Sequence, residues 1–431
     1  MTRITHLSAT ALAAGIRNGS FCSVEVVQAH LQRIAEVNPR LNAVVQLAAK
    51  QALAQARAAD AAQARGEPLG PLHGVPFTAK DVFETAGLIA AAGLEERSHY
   101  VPQHDATVVS RLRAAGGILL AKTNCPPGGG GGESDNPVYG RTNNPYDQRC
   151  TPGGSSGGEA ALIAAGGSPC GVGSDSGGSI RLPAHYNGVA GLRPTVGRVP
   201  NTGVFDQPGG LTDPRTTCGP MSRYVEDLAL LLPIVVGDDN SDSGVVPMPL
   251  GDHRRVELSR LRAAWYDDDG LMPPTSATAA TVRAAAQALG AAGVALEERR
   301  PAELEAALEI SHRYWRSEEM NGAEYQQLLA DWDAYRSRML GFMADYDLLL
   351  CPASATPAGL HGSVRDTSFS YTLPFSLTNY PALVLRAGTS PEGMSIGVQL
   401  VARPWREDIV LAAALQVEAA LGGWQPPAWC K

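Results

Sequence analysis

The chain lacks cysteines at metal or redox spacing. Its seven cysteines, Cys22, Cys125, Cys150, Cys170, Cys218, Cys351 and Cys430, include no Cys-x-x-Cys pair. That argues against a disulfide framework and a zinc cluster, and predicts a reduced, cytoplasmic setting with no metal. Blocks of lysine or arginine are also missing, and the formal net charge is -8, so no nucleic-acid partner is expected. Long apolar runs are absent too. The most apolar stretch, Leu228 to Val236, is too short for a bilayer and is interrupted by Pro233. The segment after Met1 has no long apolar core, so neither secretion nor a membrane is predicted.

Glycine, by contrast, is plentiful, at 47 of 431 residues, and much of it stands beside serine. Apolar residues make up 44%, enough for a large core. Residues 8–66 are rich in alanine, leucine and glutamine and predict helices, with breaks at Gly19-Ser20 and Asn38-Pro39. Ser23 is the expected N-cap of the second helix, with Glu25 in its first turn, and Asn42 to Arg65 the expected third helix. Beyond Pro68 the texture alternates. Strands are expected at 74–78, 117–120, 171–173, 347–350 and 396–401. Helices are expected at 106–115, 158–165, from Ser179 to Tyr186, at 274–299, over most of 302–340 and at 408–421. Residues 237–256 read as a polar surface loop. This alternation predicts an α/β fold with a largely parallel or mixed sheet covered on both faces. The expected organisation is a helical N-terminal arm, 1–66, on one large domain, 67–431.

Two glycine-flanked serines carry the chemistry. Ser179 closes Gly173-Ser174-Asp175-Ser176-Gly177-Gly178-Ser179, a strand end and turn leading into a helix. Backbone N–H groups there lack intrahelical partners and suit an oxyanion. Ser155 lies in Gly153-Gly154-Ser155-Ser156-Gly157-Gly158. A phosphate-binding loop would need Gly-Lys-Ser/Thr at its end, but Glu159 follows Gly158 and would repel phosphate. A plain turn with a capping serine is the simpler alternative for Ser179. A nucleophilic serine needs a base. His185, further along the helix that Ser179 begins, is badly placed, and His73 precedes the turn at Gly74. Lys80 follows the apolar strand Gly74–Ala79, which would desolvate it and lower its pKa into the range of a general base. Asp81 is its neighbour, but adjacent residues on a strand face opposite ways.

Taken together these residues resemble the amidase signature family. The resemblance rests on Gly74-Val75-Pro76 ahead of Lys80, Lys122-Thr123-Asn124, Gly140-Arg141-Thr142-Asn143-Asn144-Pro145, the Gly153–Gly158 block and the Gly173–Arg181 block, with weaker agreement over Ser395–Val401. It implies an α/β/α sandwich around a large mixed sheet and a Ser–cis-Ser–Lys triad. Carried onto this sequence, Ser179 is the nucleophile, Ser155 the bridging serine after a cis peptide bond, and Lys80 the base. The oxyanion donors are the N–H groups of Ser176, Gly177, Gly178 and Ser179, and Asp175 and Arg181 hold the turn from behind. The segment Gly128, Gly129, Gly130, Gly131, Gly132 borders the acyl pocket by the same resemblance. There relatives carry larger residues, so the mouth is expected to be roomy. Residues 300–345, with Tyr314, Trp315, Trp332 and Tyr335, are expected either as a lid or wall, or as plain amphipathic helices on the sheet.

The expected function is hydrolysis of small-molecule amides, anilides or carbamates through an acyl-enzyme, with no organic cofactor, by a monomer or homodimer. The run of glycines is similar to that of bacterial aryl acylamidases and urethanases within the family. Two alternatives are an amidotransferase subunit that releases ammonia from glutamine for a partner, and an inactive binding protein on the same fold.

Overall fold

The computed structural model describes residues 3–205 and 213–430. The amino-terminal part forms helix α1 (Ala9–Arg17), helix α2 (Ser23–Leu41), strand β1 (Val44–Leu47) and helix α3 (Ala49–Ala64). Three local expectations change here. Helix α2 runs through Pro39 instead of breaking before it, and ends where Asn42 turns left-handed at φ 50°. Its N-cap is Cys22: the Cys22 sulfur accepts from Glu25 N at 3.3 Å and Glu25 Oε2 accepts from Cys22 N at 2.8 Å. Beyond Asn42 the β-branched pair Val44-Val45 joins a sheet edge, so the third helix starts only at Ala49.

Next come strand β2 (Pro76–Lys80), helix α4 (Thr107–Ala114), strand β3 (Ile118–Thr123), helix α5 (Gly157–Ala164), strand β4 (Cys170–Asp175) and helix α6 (Arg181–Asn187). Strands β5 (Ala190–Arg193) and β6 (Thr217–Ser222) and helix α7 (Val225–Val235) follow, the last carrying Pro233 inside it. The remainder is strand β7 (Arg262–Trp265), helix α8 (Ser276–Ala291), strand β8 (Ala295–Glu298), helices α9 (Glu305–Trp315) and α10 (Gly322–Met343), strand β9 (Leu348–Pro352), helix α11 (Leu373–Leu377), strands β10 (Ala382–Thr389) and β11 (Ser395–Ala402), and helix α12 (Glu407–Leu421). The helix expected over 274–299 therefore ends at Ala291, and Ala295–Glu298 pairs parallel to β7. The turn at Gly293, with φ 94°, makes that change of direction possible.

Among the described residues, eleven strands form one mixed sheet in the order β1-β3-β2-β4-β6-β5-β10-β11-β9-β7-β8. Strand β2 runs parallel to both β3 and β4, while β4 and β6, and β10 and β11, are antiparallel. Alternation along the strands covers both faces. On β9, Leu348 and Leu350 join a core with α7, α8 and α12, whereas Leu349 and Cys351 join a core with α9, α10 and α11. This is an α/β fold with helices on both sides of the sheet. Strands β2 and β4, parallel neighbours, carry the GVPFTAK and GSD motifs at their carboxyl ends, where open α/β sheets commonly place ligands.

Candidate active site

Lys80 ends β2 and is wholly buried. Its Nζ donates to Ser155 Oγ at 2.6 Å and to Ser174 Oγ at 2.9 Å. Burial pushes the Lys80 ammonium down to about 8, against the opposing pull of the Cys125 and Cys218 thiols and the Asp175 carboxylate. Asp81 faces elsewhere: its carboxylate takes Lys122 Nζ at 3.1 Å and Ala92 N at 2.8 Å.

The Gly154–Ser155 peptide is cis. Just beyond it α5 starts, and its close approach to the sheet explains the glycines. A Cβ on Gly158 would fall 2.5 Å from the backbone of Asn124. Glu159, in the first turn, is buried and accepts from the hydroxyls of Thr78 on β2 and Thr123 on β3. Burial raises its carboxyl to about 7. The helix after Ser155 is thereby tied to the strand that carries Lys80.

The third member lies alongside. Ser156 N donates to Ser179 O at 3.1 Å, joining the two serine segments. Ser179 sits in the turn two residues ahead of α6, whose N-cap is Ile180. Its side chain is partly exposed, and among the described residues Ser179 Oγ has no hydrogen-bond partner, Ser155 included. Gly178 has φ 146°, and a Cβ there would run into Thr372. Among the described residues, none of the N–H groups of Ser176, Gly177, Gly178 and Ser179 donates to a protein acceptor. Those of Ile180 and Arg181 are already taken, at 3.1 and 3.4 Å, by Asp175 Oδ2. The turn thus offers four uncommitted donors beside an unpaired hydroxyl, the arrangement that stabilises an oxyanion.

Behind the turn, Asp175 and Arg181 form a buried pair through two 3.0 Å bonds, with Arg193 3.5 Å from Asp175. Burial alone would raise the Asp175 carboxyl. The guanidiniums of Arg181 and Arg193 and the N–H of Ile180 outweigh it and hold the carboxyl below its usual range. Removing either partner of such a pair typically costs about 3–5 kcal/mol, so the turn is held stiffly. His185 and His73 are engaged elsewhere, with Gly397 N and Thr356 O in the first case and Ala59 O in the second.

A cavity of about 470 Å³ opens over Ser179, lined by Gly128 to Gly132, Ser176, Gly177, Asp213, Trp315, Asp366 and Phe369. The run Gly128–Gly132 lines this cavity. Sequence reasoning left open the role of 300–345: α9 supplies Trp315 as a wall of this cavity, and Trp332 and Tyr335 of α10 are core residues beneath. It missed Ser174, although parallel strands ending at Lys80 and Asp175 bring Ser174 beside the lysine. It also missed Asp213, Asp366 and Phe369, which no local pattern marks.

Comparisons with known proteins place the chain in a family. The Amidase family profile matches residues 25–331 and 310–411. An acylamidase of Rhodococcus erythropolis is 35% identical over 96% of this chain and 95% of its own length. A glutamyl-tRNA(Gln) amidotransferase subunit from Chloroflexus aurantiacus is 34% identical over 95% of this chain and 96% of its own length. The solved structure of a 6-aminohexanoate cyclic dimer hydrolase complexed with substrate superposes with a TM-score of 0.86 at 27% identity, covering 100% of both chains. The protein is a hydrolase of amide C–N bonds other than peptide bonds, and it belongs to the amidase signature family.

Proposed function

We propose that this chain cleaves small amides, anilides or carbamates through an acyl-enzyme on Ser179, with Ser155 as relay and Lys80 as base. The observation that carries this reading is the 2.6 Å bond between the buried Lys80 Nζ and Ser155 Oγ, in a segment that Ser156 N joins to Ser179 O at 3.1 Å. A neutral Lys80 accepts the Ser155 proton and donates to Ser174. Ser155 Oγ in turn takes the proton of Ser179 as Ser179 Oγ attacks the carbonyl carbon. The N–H groups of 176–179 take up the negative oxygen; one such donor is typically worth roughly 3 kcal/mol in the transition state. The C–N bond breaks as the proton returns by the same path to the leaving nitrogen. Water then attacks the ester, its proton passes through Ser155 to Lys80, and that proton returns to Ser179 Oγ as the acyl–oxygen bond breaks. A carbamate follows the same steps and leaves a carbonic half-ester, which falls to alcohol and carbon dioxide. Asp175 and Arg181 fix the donor turn and touch no reacting atom.

The relative from Chloroflexus aurantiacus favours a second reading, ammonia release from glutamine for a partner. The described lining of the cavity carries Asp213 and Asp366 but no lysine or arginine for an α-carboxylate, which supports the hydrolase reading. The test is the purified chain alone against p-nitroacetanilide, a phenyl carbamate and glutamine, with a fluorophosphonate probe for Ser179. Turnover of the first two with an adduct on Ser179 is expected. No adduct, or turnover of glutamine alone, overturns the reading.

A further inference from the structure

Two residues that line the cavity, Asp213 and Trp315, are built around a buried cation. Arg215 is fully buried and forms a two-point pair with Asp213, at 2.9 and 2.6 Å. Three aromatic rings surround its guanidinium: Tyr314 at 4.6 Å, Trp315 at 5.3 Å and Trp332 at 5.9 Å from ring centre. Two of these rings belong to α9 and one to α10, and Arg215 Nη1 also reaches Ser311 Oγ of α9 at 3.4 Å. Desolvated cation–π contacts of this kind are worth up to about 2 kcal/mol. The end of α9 is therefore pinned to the segment that leads into β6. Trp315 is 45% exposed and lines the cavity, while its partner Arg215 is buried.

The indole also lies near the chemistry. A Cβ on Gly177 would be 3.7 Å from Trp315 Cζ2, so the ring edge borders the turn with the free N–H groups. Phe369 lines the same cavity, and the run Gly128–Gly132 supplies backbone without side chains. A held indole, a phenyl ring and a run of bare backbone that line one cavity suit a flat group. A ring that stacks gains over a puckered ring of similar size, because offset π contacts add to the burial of area.

We propose that Trp315 is a specificity-determining residue: its indole, pinned by Arg215, and the side-chain-free run Gly128–Gly132 form a slot that selects a planar ring on the substrate beside the scissile bond. This rests on the cavity being the substrate pocket of the proposed function.

The test needs no turnover. Phenylacetamide and cyclohexylacetamide, rings of like size that differ in planarity, are titrated calorimetrically into the full chain carrying Ser179→Ala. The aromatic amide should bind about fivefold more tightly. Adding Trp315→Ala should bring the two within about twofold, and Trp315→Phe should keep most of the preference. Equal binding of the two amides, no measurable binding of either, or a loss from Trp315→Ala that is the same for both rings overturns the proposal. Labelling of the unsubstituted chain by the fluorophosphonate tests the Ser179 mechanism separately, so the two failures are told apart.

Discussion

Lys122 Nζ lies 3.1 Å from Asp81 Oδ1, and both side chains are buried. The aspartate next to Lys80 in sequence is thus neutralised by a different lysine. Lys80 is left with two serine hydroxyls and no carboxylate as hydrogen-bond partners. Its charged form is penalised by burial and its pKa falls to about 8. The base must be neutral to accept a proton. Activity should therefore rise with pH, log kcat/KM climbing with unit slope below about 8 and levelling above it. In Lys80→Ala this limb should vanish and the plateau should fall by about 10²–10⁴-fold. A pH–rate profile of both proteins checks this, and an unchanged limb in the variant assigns it to another group.

Ser174 shares Lys80 Nζ with Ser155 and orients the amine without lying in the proton path. Ser174→Ala should lower kcat by up to about tenfold and leave KM nearly unchanged, since a hydrogen bond between neutral groups is worth about 0.5–1.5 kcal/mol. Ser155→Ala, which cuts the relay, should cost far more. Steady-state kinetics of the two variants side by side measure the contrast, and equal losses count against the assignment.

What was legible in the sequence was whatever a short stretch encodes by itself. Lys80, Ser155 and Ser179 stood out because glycines and an apolar strand surround them, and the structure brings Lys80 and Ser155 together. Five strands were also readable, at 74–78, 117–120, 171–173, 347–350 and 396–401, with most of the longer helices. What escaped depends on partners far away. Ala295–Glu298 has helix-forming residues, yet it pairs with β7 because Gly293 turns the chain back. The strand Thr217–Ser222 carries Gly219 and Pro220 and gives no strand signal, and it is fixed by antiparallel pairing to β4. Pro233 is tolerated within α7, a helix held by packing of Leu228, Leu231 and Leu232. The cage around Arg215 joins residues a hundred positions apart, and no pattern in 300–345 could announce it.

Glu159 makes stability depend on pH in a direction opposite to most paired carboxylates. Burial raises it from 4.5 to about 7 in the folded chain, where Thr78 and Thr123 donate to it from their side chains. Between those two values the folded state keeps a proton that the unfolded state has released. Stability from this group therefore falls as pH rises from 4.5 to about 7 and stays low above it. Glu159→Gln remains neutral and can still bond both threonines. Its stability relative to the unsubstituted chain should climb across that window, reaching about 1–3 kcal/mol above it. Urea unfolding at pH 5 and pH 8 measures the difference, and a gain equal at both values refutes the assignment.

The glycine run offers one place where a side chain enters the cavity without disturbing the fold. Gly128, Gly129 and Gly131 have φ of 62°, 68° and 130°, so any side chain there is strained. A Cβ on Gly132 would collide with Val364. Gly130 has φ -95°, and the nearest atom to a Cβ there is Pro127 O at 3.9 Å. Gly130→Leu should therefore fold with an unchanged melting temperature, its side chain filling part of the 470 Å³ cavity. Acetyl p-nitroanilide should be cleaved within about threefold of the original rate, while an octanoyl or phenylacetyl analogue should lose about tenfold or more in kcat/KM. Gly131→Leu, strained by its positive φ, should instead lower the melting temperature. Equal losses on short and long acyl groups in Gly130→Leu mean that the glycine run does not border the acyl group.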